Sequence, residues 1–223
     1  MKIEEIPQAT LERLPLYHRT LQQLEEKGFK TVSSQQLAGF LNIKAEKLRK
    51  DLALCGTFGI KSIGYYVTAL RKNIENFLGL NYRRKIGIVG ASNLGFALAT
   101  DETFSQLGFE VSAIFDKDEN FIGQEIGDVK IYDFAKIESI SQRKMIDIGV
   151  IAVQKEFAQE AADALVAAKV LGIWNFAPVK IFVPNDVQVL DADLSFGLSI
   201  LNYEVTQAEK SRRKKVTRKS SEK

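Results

Sequence analysis

The chain has 223 residues, room for one large domain or two small ones at roughly 100 to 200 residues each. With 45% apolar and 26% charged residues it reads as a globular protein, and its longest apolar runs fall far short of the ~20 residues a membrane-spanning helix needs. One cysteine, Cys55, and one histidine, His18, exclude an internal disulfide framework and a cysteine-cluster zinc site within the chain, and no metal site is expected.

No charged, apolar, small-residue leader opens the sequence, so a cytoplasmic location is the expectation. The net charge of +3 hides an asymmetry: residues 1–80 carry 12 Lys and Arg against 8 Asp and Glu, residues 81–204 carry 11 against 18, and residues 205–223 carry 8 against 2. An acidic middle binds polyanions poorly, so a nucleic acid should meet the front or the tail. Two domains are expected, 1–80 and 81–204, followed by a basic, disordered tail over 205–223 that could add nonspecific DNA affinity or serve only to solubilise.

In chain order, Leu14, Tyr17, Leu21 and Leu24 recur at helical spacing, with Pro15 suited to a first turn and Gly28 to a stop. Ser33 and Ser34 stand where a hydroxyl caps a helix burying Leu37, Phe40 and Leu41, and Asn42 marks a turn. In the next helix Ala45, Leu48 and Leu52 lie within about 60° of one another at ~100° per residue, while Lys47 and Lys50 point the other way. Arg49 lies nearer the apolar face and is expected as the partner of an acid rather than a DNA contact. Two short helices joined by a tight turn, with Lys44, Lys47 and Lys50 outward, form an arrangement that can place a helix in a major groove. Glycines 56, 59 and 64 allow a small hairpin, or wing, with Lys61 near its tip. A helical dimerisation module with a solvated charged face is the alternative, and the charge asymmetry favours DNA. Cys55 and His18 read as packing residues.

From residue 84 strand and helix alternate. KIGIVG is a buried strand, GASNLG opens a helix near Asn93, and FEVSAIF ends in Asp116. Strand, glycine turn, helix, strand and acid form a dinucleotide fingerprint: helix N-terminal N–H groups for a pyrophosphate and a carboxylate for a ribose diol. Ser92 replaces the middle glycine, and its hydroxyl could donate to a phosphate. Asp116, Asp118 and Glu119 would repel a 2′-phosphate, favouring NAD(H) over NADP(H). A purely structural turn, coenzyme A or another adenine nucleotide are the alternatives. Further strands, VKIYD, DIGVIAV, GIWNF and VQVLDAD, with helices between them, predict a parallel sheet covered on both faces. The segment Asn175–Val179 lies at a strand's carboxyl end, where it could shape a nicotinamide pocket or only pack. Tyr132 and Lys136 show a Y-x-x-x-K spacing too near the third strand to face a nicotinamide. The acidic region lacks histidine, so sensing is expected rather than turnover.

The motifs RLPLYHR, VSSQQLA, LRKDLALCGTFG, IGY, GASNLG, IFD, WNFAPV and DADL, in this order, resemble the Rex family of redox-sensing transcriptional repressors over residues 5–204. The resemblance implies an α/β protein with an N-terminal winged-helix domain, a Rossmann domain and a C-terminal helix exchanged within a homodimer. It implies binding to an inverted-repeat double-stranded operator that is released when NADH accumulates, with NAD⁺ competing. It implies that Ser33, Ser34, Lys47, Lys50 and Lys61 meet DNA, joined on the reading of charge by Lys44. Gly90, Ala91, Ser92, Asn93, Leu94, Gly95 and Asp116 would hold the dinucleotide, with Asn175, Phe176, Ala177 and Pro178 near the nicotinamide. Arg19 and Asp193 match a pair that couples cofactor state to the angle of the DNA-binding domains. The chain departs from the family at Ser92, usually glycine; at Asp101, usually tyrosine; at Gln154, usually proline; and at Cys55, usually aromatic. Its wing has Lys61-Ser62-Ile63 where arginine and glycine are usual. These departures imply a weakened or changed NADH response, Asp101 favouring cationic NAD⁺ if it lies near the nicotinamide. The rivals are an oxidoreductase with a fused helical domain and a dimer that has lost sensing.

Overall fold

The computed structural model describes residues 6–57 and 59–221; residues 1–5 of the expected first domain, Phe58, and residues 222–223 of the expected tail lie outside them. The chain divides into two compact units between Arg83 and Arg84.

The first unit carries α1 (Gln8–Leu11), α2 (Leu14–Glu26), β1 (Thr31–Val32), α3 (Ser34–Phe40), α4 (Ala45–Leu54), β2 (Tyr65–Tyr66) and α5 (Val67–Phe77). Pro15 sits in the first turn of α2, where its missing N–H leaves no intrahelical bond unmade. Ser33 starts α3 with a capping box, its Oγ accepting from Gln36 N at 3.1 Å while Gln36 Oε1 accepts from Ser33 N at 2.9 Å. Leu14, Tyr17 and Leu21 of α2, Leu37 of α3, Leu48 and Leu52 of α4, and Ile74 of α5 are fully buried together. β1 and β2 pair antiparallel, and Ile60 bridges Gly64 in a short hairpin between α4 and β2.

One expectation needs correction here, and two further features had no counterpart in the sequence pattern. Phe40 is 58% exposed rather than buried, because two-turn α3 turns Leu37, Ala38 and Leu41 inward and leaves Phe40 off that stripe. Helix α5 was not anticipated behind the glycine-rich stretch, although Val67, Leu70 and Ile74 supply its buried face. Asp51, on the inner side of α4, is only 4% exposed, since four hydrogen bonds replace its water.

The second unit runs β3 (Arg84–Val89), α6 (Asn93–Ala99), α7 (Glu102–Gln106), β4 (Phe109–Asp116), β5 (Glu125–Ile126), β6 (Val129–Asp133), α8 (Ile137–Lys144), β7 (Ile148–Ile151), α9 (Ala158–Ala167), β8 (Gly172–Asn175), β9 (Gln188–Asp191) and α10 (Leu194–Ser221). Its seven-stranded sheet has the order β5-β6-β4-β3-β7-β8-β9, parallel throughout except for the two-residue edge strand β5. One face buries Val89, Phe115 and Ile151 against Ile137, Ala161 and Leu165. The other buries Ile88, Ile114 and Ile131 beneath Leu94 and Phe96. The chain moves outward from β3 through β4 to β6 and then returns to β7. The order thus reverses between β3 and β7, and in open sheets of this kind ligands bind outside the carboxyl ends of the strands at such a point.

The tail expected to be disordered continues α10 to Ser221. Residues 205–221 contain neither glycine nor proline and are rich in lysine and arginine, which are strong helix formers. Among the described residues no helix is long and apolar enough to cross a membrane.

Candidate functional site

At the switch point the glycine loop joins the carboxyl end of β3 to α6. Gly90 has φ +113°, and a Cβ there would lie 2.6 Å from Ala152 O at the end of β7. A Cβ on Gly95 would overlap the carbonyl oxygen of Gly90, so the first turn of α6 sits directly on the end of β3. Asp116, at the end of β4, accepts from Ala91 N at 2.6 Å through Oδ2 and from Asp118 N at 2.9 Å through Oδ1. The acid and the loop are thus one assembly. Each carboxylate oxygen keeps a lone pair for a further donor, as a ribose hydroxyl would require.

Ser92 is used differently from the expectation. Its Oγ accepts from Gly95 N at 3.3 Å and donates to Ala152 O at 3.1 Å, so the hydroxyl proton is already committed within the protein rather than held for a phosphate. Ser92 caps α6 and joins the loop to β7. Ala91 and Gly95 are buried, Asn93 is exposed and Leu94 half-buried.

At the carboxyl end of β8, Asn175 is fully buried. Its Nδ2 donates to Val179 O at 2.8 Å and Asp191 Oδ1 at 2.9 Å, while its Oδ1 accepts from Ala177 N at 3.1 Å. Its amide therefore shapes the 175–179 turn, with both of its N–H groups taken within the protein. Ala177 is also buried, Phe176 half-buried and Pro178 exposed. Phe176 meets Trp174 at 4.5 Å between ring centroids, and Trp174 meets Phe104 of α7 at 6.1 Å. Asp101 caps α7, accepting from Thr103 N at 2.9 Å and Thr103 Oγ1 at 2.7 Å, and these bonds hold its carboxyl below the usual range. The ring contacts tie the helix it caps to the 174–176 segment.

In the first unit, Lys44, Lys47, Lys50 and Lys61 are exposed, and Ser33 and Ser34 are half-buried. Lys50 Nζ pairs with Glu46 Oε1 at 2.8 Å, a neutralisation that the lysine spacing did not show. Arg49 donates to Ser34 Oγ at 3.1 Å across α3 and α4. It therefore partners a hydroxyl rather than an acid, and joins the Ser33–Ser34 face from which sequence reasoning had set it apart. Its position one residue before Lys50, on the exposed side, was the available signal.

The helix α4 is held from beneath. Asp51 accepts from Thr10 Oγ1 at 3.0 Å, from Arg13 Nε at 2.8 Å and Nη2 at 2.7 Å, and from Tyr17 OH at 2.7 Å. Burial alone would raise this carboxyl, and the bonds from Arg13, Tyr17 and Thr10 outweigh it, holding the group below its usual range. The hydrogen bond to Asp51 pushes the Arg13 guanidinium up. Burial first, then Asp51, pushes the Tyr17 hydroxyl up.

Cys55 donates to Asp51 O at 3.4 Å, and burial pushes its thiol up to about 11, away from a reactive thiolate. His18 is 7% exposed, its Nε2 at 3.9 Å from Glu75 Oε2, and burial pushes its pKa down. Tyr132 packs on Phe115 with Lys144 Nζ 5.8 Å from its ring centroid. Arg19 is exposed on α2, and Asp193 begins α10 by accepting from Ser195 N at 2.8 Å.

Comparison with known proteins accounts for both units. A family described as CoA binding domain matches residues 81–179, and one described as Putative DNA-binding protein N-terminus matches residues 5–53. The redox-sensing transcriptional repressor Rex of Syntrophomonas wolfei is 42% identical over 91% of this chain and 97% of its own length. That of Desulfitobacterium hafniense is 38% identical over 92% and 98%. Among solved structures, RSP in complex with β-NAD⁺ and operator DNA aligns with a TM-score of 0.87 at 36% identity, covering 95% of this chain and 97% of that one. RSP in complex with β-NADH aligns with a TM-score of 0.84 at 35% identity, covering 93% and 98%. Near-complete coverage of both chains, at identities well above 30%, places this chain in the family of the redox-sensing transcriptional repressor Rex.

Proposed function

We propose that the chain is a cytoplasmic, homodimeric repressor that binds an inverted-repeat operator and leaves it when NADH occupies the second unit, with NAD⁺ as the competing ligand. The observation that carries the cofactor reading is the bond from Ala91 N to Asp116, which unites the loop of residues 90–95 with the acid of β4. In this reading Gly90, Ala91, Ser92, Asn93, Leu94 and Gly95 receive the pyrophosphate, Asp116 the ribose, and Phe176, Ala177 and Pro178 border the nicotinamide, on a turn that Asn175 shapes. Ser33, Ser34, Lys44, Lys47, Lys50 and Lys61 contact DNA, with Arg49 added to them.

The dimer is supported by α10. Phe196, Leu198, Ile200, Leu201 and Tyr203 are each more than half exposed in the single chain, an apolar surface that a second subunit would cover. Arg19 and Asp193 serve as the bistable pair, NADH favouring the dimer whose reading helices are misplaced. Asp101 stands on a helix tied to the Trp174–Phe176 aromatic group, and its negative charge favours NAD⁺ over NADH there.

Separate titrations of NAD⁺ and NADH, with an assay for net NADH consumption, test this reading. Saturable binding of both, NADH weaker relative to NAD⁺ than in the Asp101→Tyr variant, and no turnover are expected. Substrate-dependent NADH oxidation would favour the oxidoreductase alternative, and a much tighter NADH complex in the native chain would contradict the role given to Asp101.

A further inference from the structure

Lys117 directly follows Asp116, the acid bonded to the glycine loop, and is the only basic residue among residues 116–120. Its charge is engaged elsewhere. Nζ donates to both carboxylate oxygens of Glu160 at 2.6 Å, and it lies 4.7 Å from the ring centroid of Phe134 and 5.6 Å from that of Phe157. These side chains come from three strand ends. Asp116 of β4 pairs in register with Asp133 of β6, so Lys117 and Phe134 leave the sheet side by side. Phe157 and Glu160 stand at the start of α9, which follows β7, and the N–H groups of that first turn favour a carboxylate there. The next acid along the chain, Asp118, is turned to Asn120, whose N and Nδ2 donate to its Oδ1 at 2.9 and 2.8 Å.

We propose that Glu160 determines which dinucleotide this chain accepts: by holding Lys117 over Phe134 and Phe157, it withholds the cation that a 2′-phosphate beside Asp116 would need. This rests on the dinucleotide reading above and adds a residue outside the glycine loop to it. A 2′-phosphate would sit on the ribose assigned to Asp116, within reach of the side chain at 117, whose Cα lies about 3.8 Å from that of Asp116. Sites that take this phosphate place a basic residue nearby. The sequence supplies such a residue, and the fold directs it to Glu160. Asp116, Asp118 and Glu119 repel the phosphate by their own charge, whereas Glu160 acts by occupying the compensating cation. To meet the phosphate, Lys117 would have to leave a carboxylate and two ring faces, together worth about tenfold in affinity.

The test compares NADH with NADPH, which differ only in the 2′-phosphate, by energy transfer from Trp174 in the full-length chain. The native chain is expected to bind NADPH at least about tenfold more weakly than NADH. Glu160→Gln should raise NADPH affinity about tenfold and leave NADH within about threefold. Glu160→Ala, which leaves Lys117 no acceptor at all, should match it. Lys117→Met should keep both native affinities within about threefold, and adding Glu160→Gln to it should gain less than about threefold for NADPH. An unchanged ratio of NADH to NADPH affinity in both Glu160 variants, with NADH still bound, overturns the proposal. A tenfold gain that persists in the Lys117→Met background overturns it as well, since Glu160 would then act by its charge alone. Failure of the native chain to bind either dinucleotide overturns the cofactor reading itself, a separate result.

Discussion

The carboxylate of Asp116 and the backbone N–H of Ala91, on neighbouring strand ends, are joined by a 2.6 Å hydrogen bond. The acid at the end of β4 therefore fixes the loop as well as facing the proposed ribose. Asp116→Asn, which keeps one carbonyl acceptor but removes the charge, should weaken NADH binding by about tenfold, as expected for losing a charged hydrogen bond. Gly95→Ala should abolish it, because its Cβ overlaps the Gly90 carbonyl. Energy transfer from Trp174, the one tryptophan in the sequence, to bound NADH provides the measurement.

Asp51 gathers the beginning of the chain onto the inner side of α4. Removing its charge in Asp51→Asn leaves Arg13 without its buried partner and should cost about 3 kcal/mol of stability, the scale for breaking such a pair. Its depressed pKa means that this contribution is present above the ordinary carboxyl value of 3.8 and is lost as pH falls through the lower folded value. Thermal unfolding of variant and native chain at pH 7 and pH 3 measures both effects; the difference between them should shrink at the lower pH.

His18 titrates in the opposite part of the scale. Burial lowers its pKa from 6.5, so below that value the unfolded chain binds the proton more readily and the fold loses stability as pH falls toward the depressed value. Glu75 of α5 partly opposes this and Arg71 adds to it. The melting temperature should fall as pH drops below about 6.5, and His18→Phe should flatten that slope.

On the outer side of the helix pair, Arg49 is bonded to a neutral hydroxyl whereas Lys50 is paired with Glu46. Arg49→Ala should therefore weaken operator binding more than Lys50→Ala. Each should reduce the salt dependence by about one counterion if it meets a phosphate. Lys136→Ala, in the other unit, should leave affinity unchanged. Fluorescence anisotropy at two or more salt concentrations separates the three outcomes.

Much of this protein is legible in its residue order. The helical spacing from Leu14 to Leu24, the hydroxyl before α3, the turn at Asn42 and the glycine loop after β3 each record a local backbone demand, and each element formed where that demand lies. What escaped reading depends on partners distant in sequence. Asp51 looks like a solvated helix residue until Thr10, Arg13 and Tyr17 surround it, and Asn175 looks like a ligand contact until Val179 and Asp191 take its amide. Ser92 seemed to mar the loop because sequence showed a missing glycine but not the Ala152 carbonyl waiting for its hydroxyl. The helical tail was missed for another reason: charge density argued for disorder, whereas the absence of helix breakers after Gly197 allows α10 to continue.

The central claim is that dinucleotide state controls operator affinity. Its most direct test is a titration of operator duplex by the full chain at one fixed salt concentration, performed without cofactor, with NAD⁺ and with NADH. Affinity should fall at least tenfold with NADH and be kept with NAD⁺, and Gly95→Ala should bind the duplex but ignore both ligands. Identical native affinity under all three conditions would contradict the account.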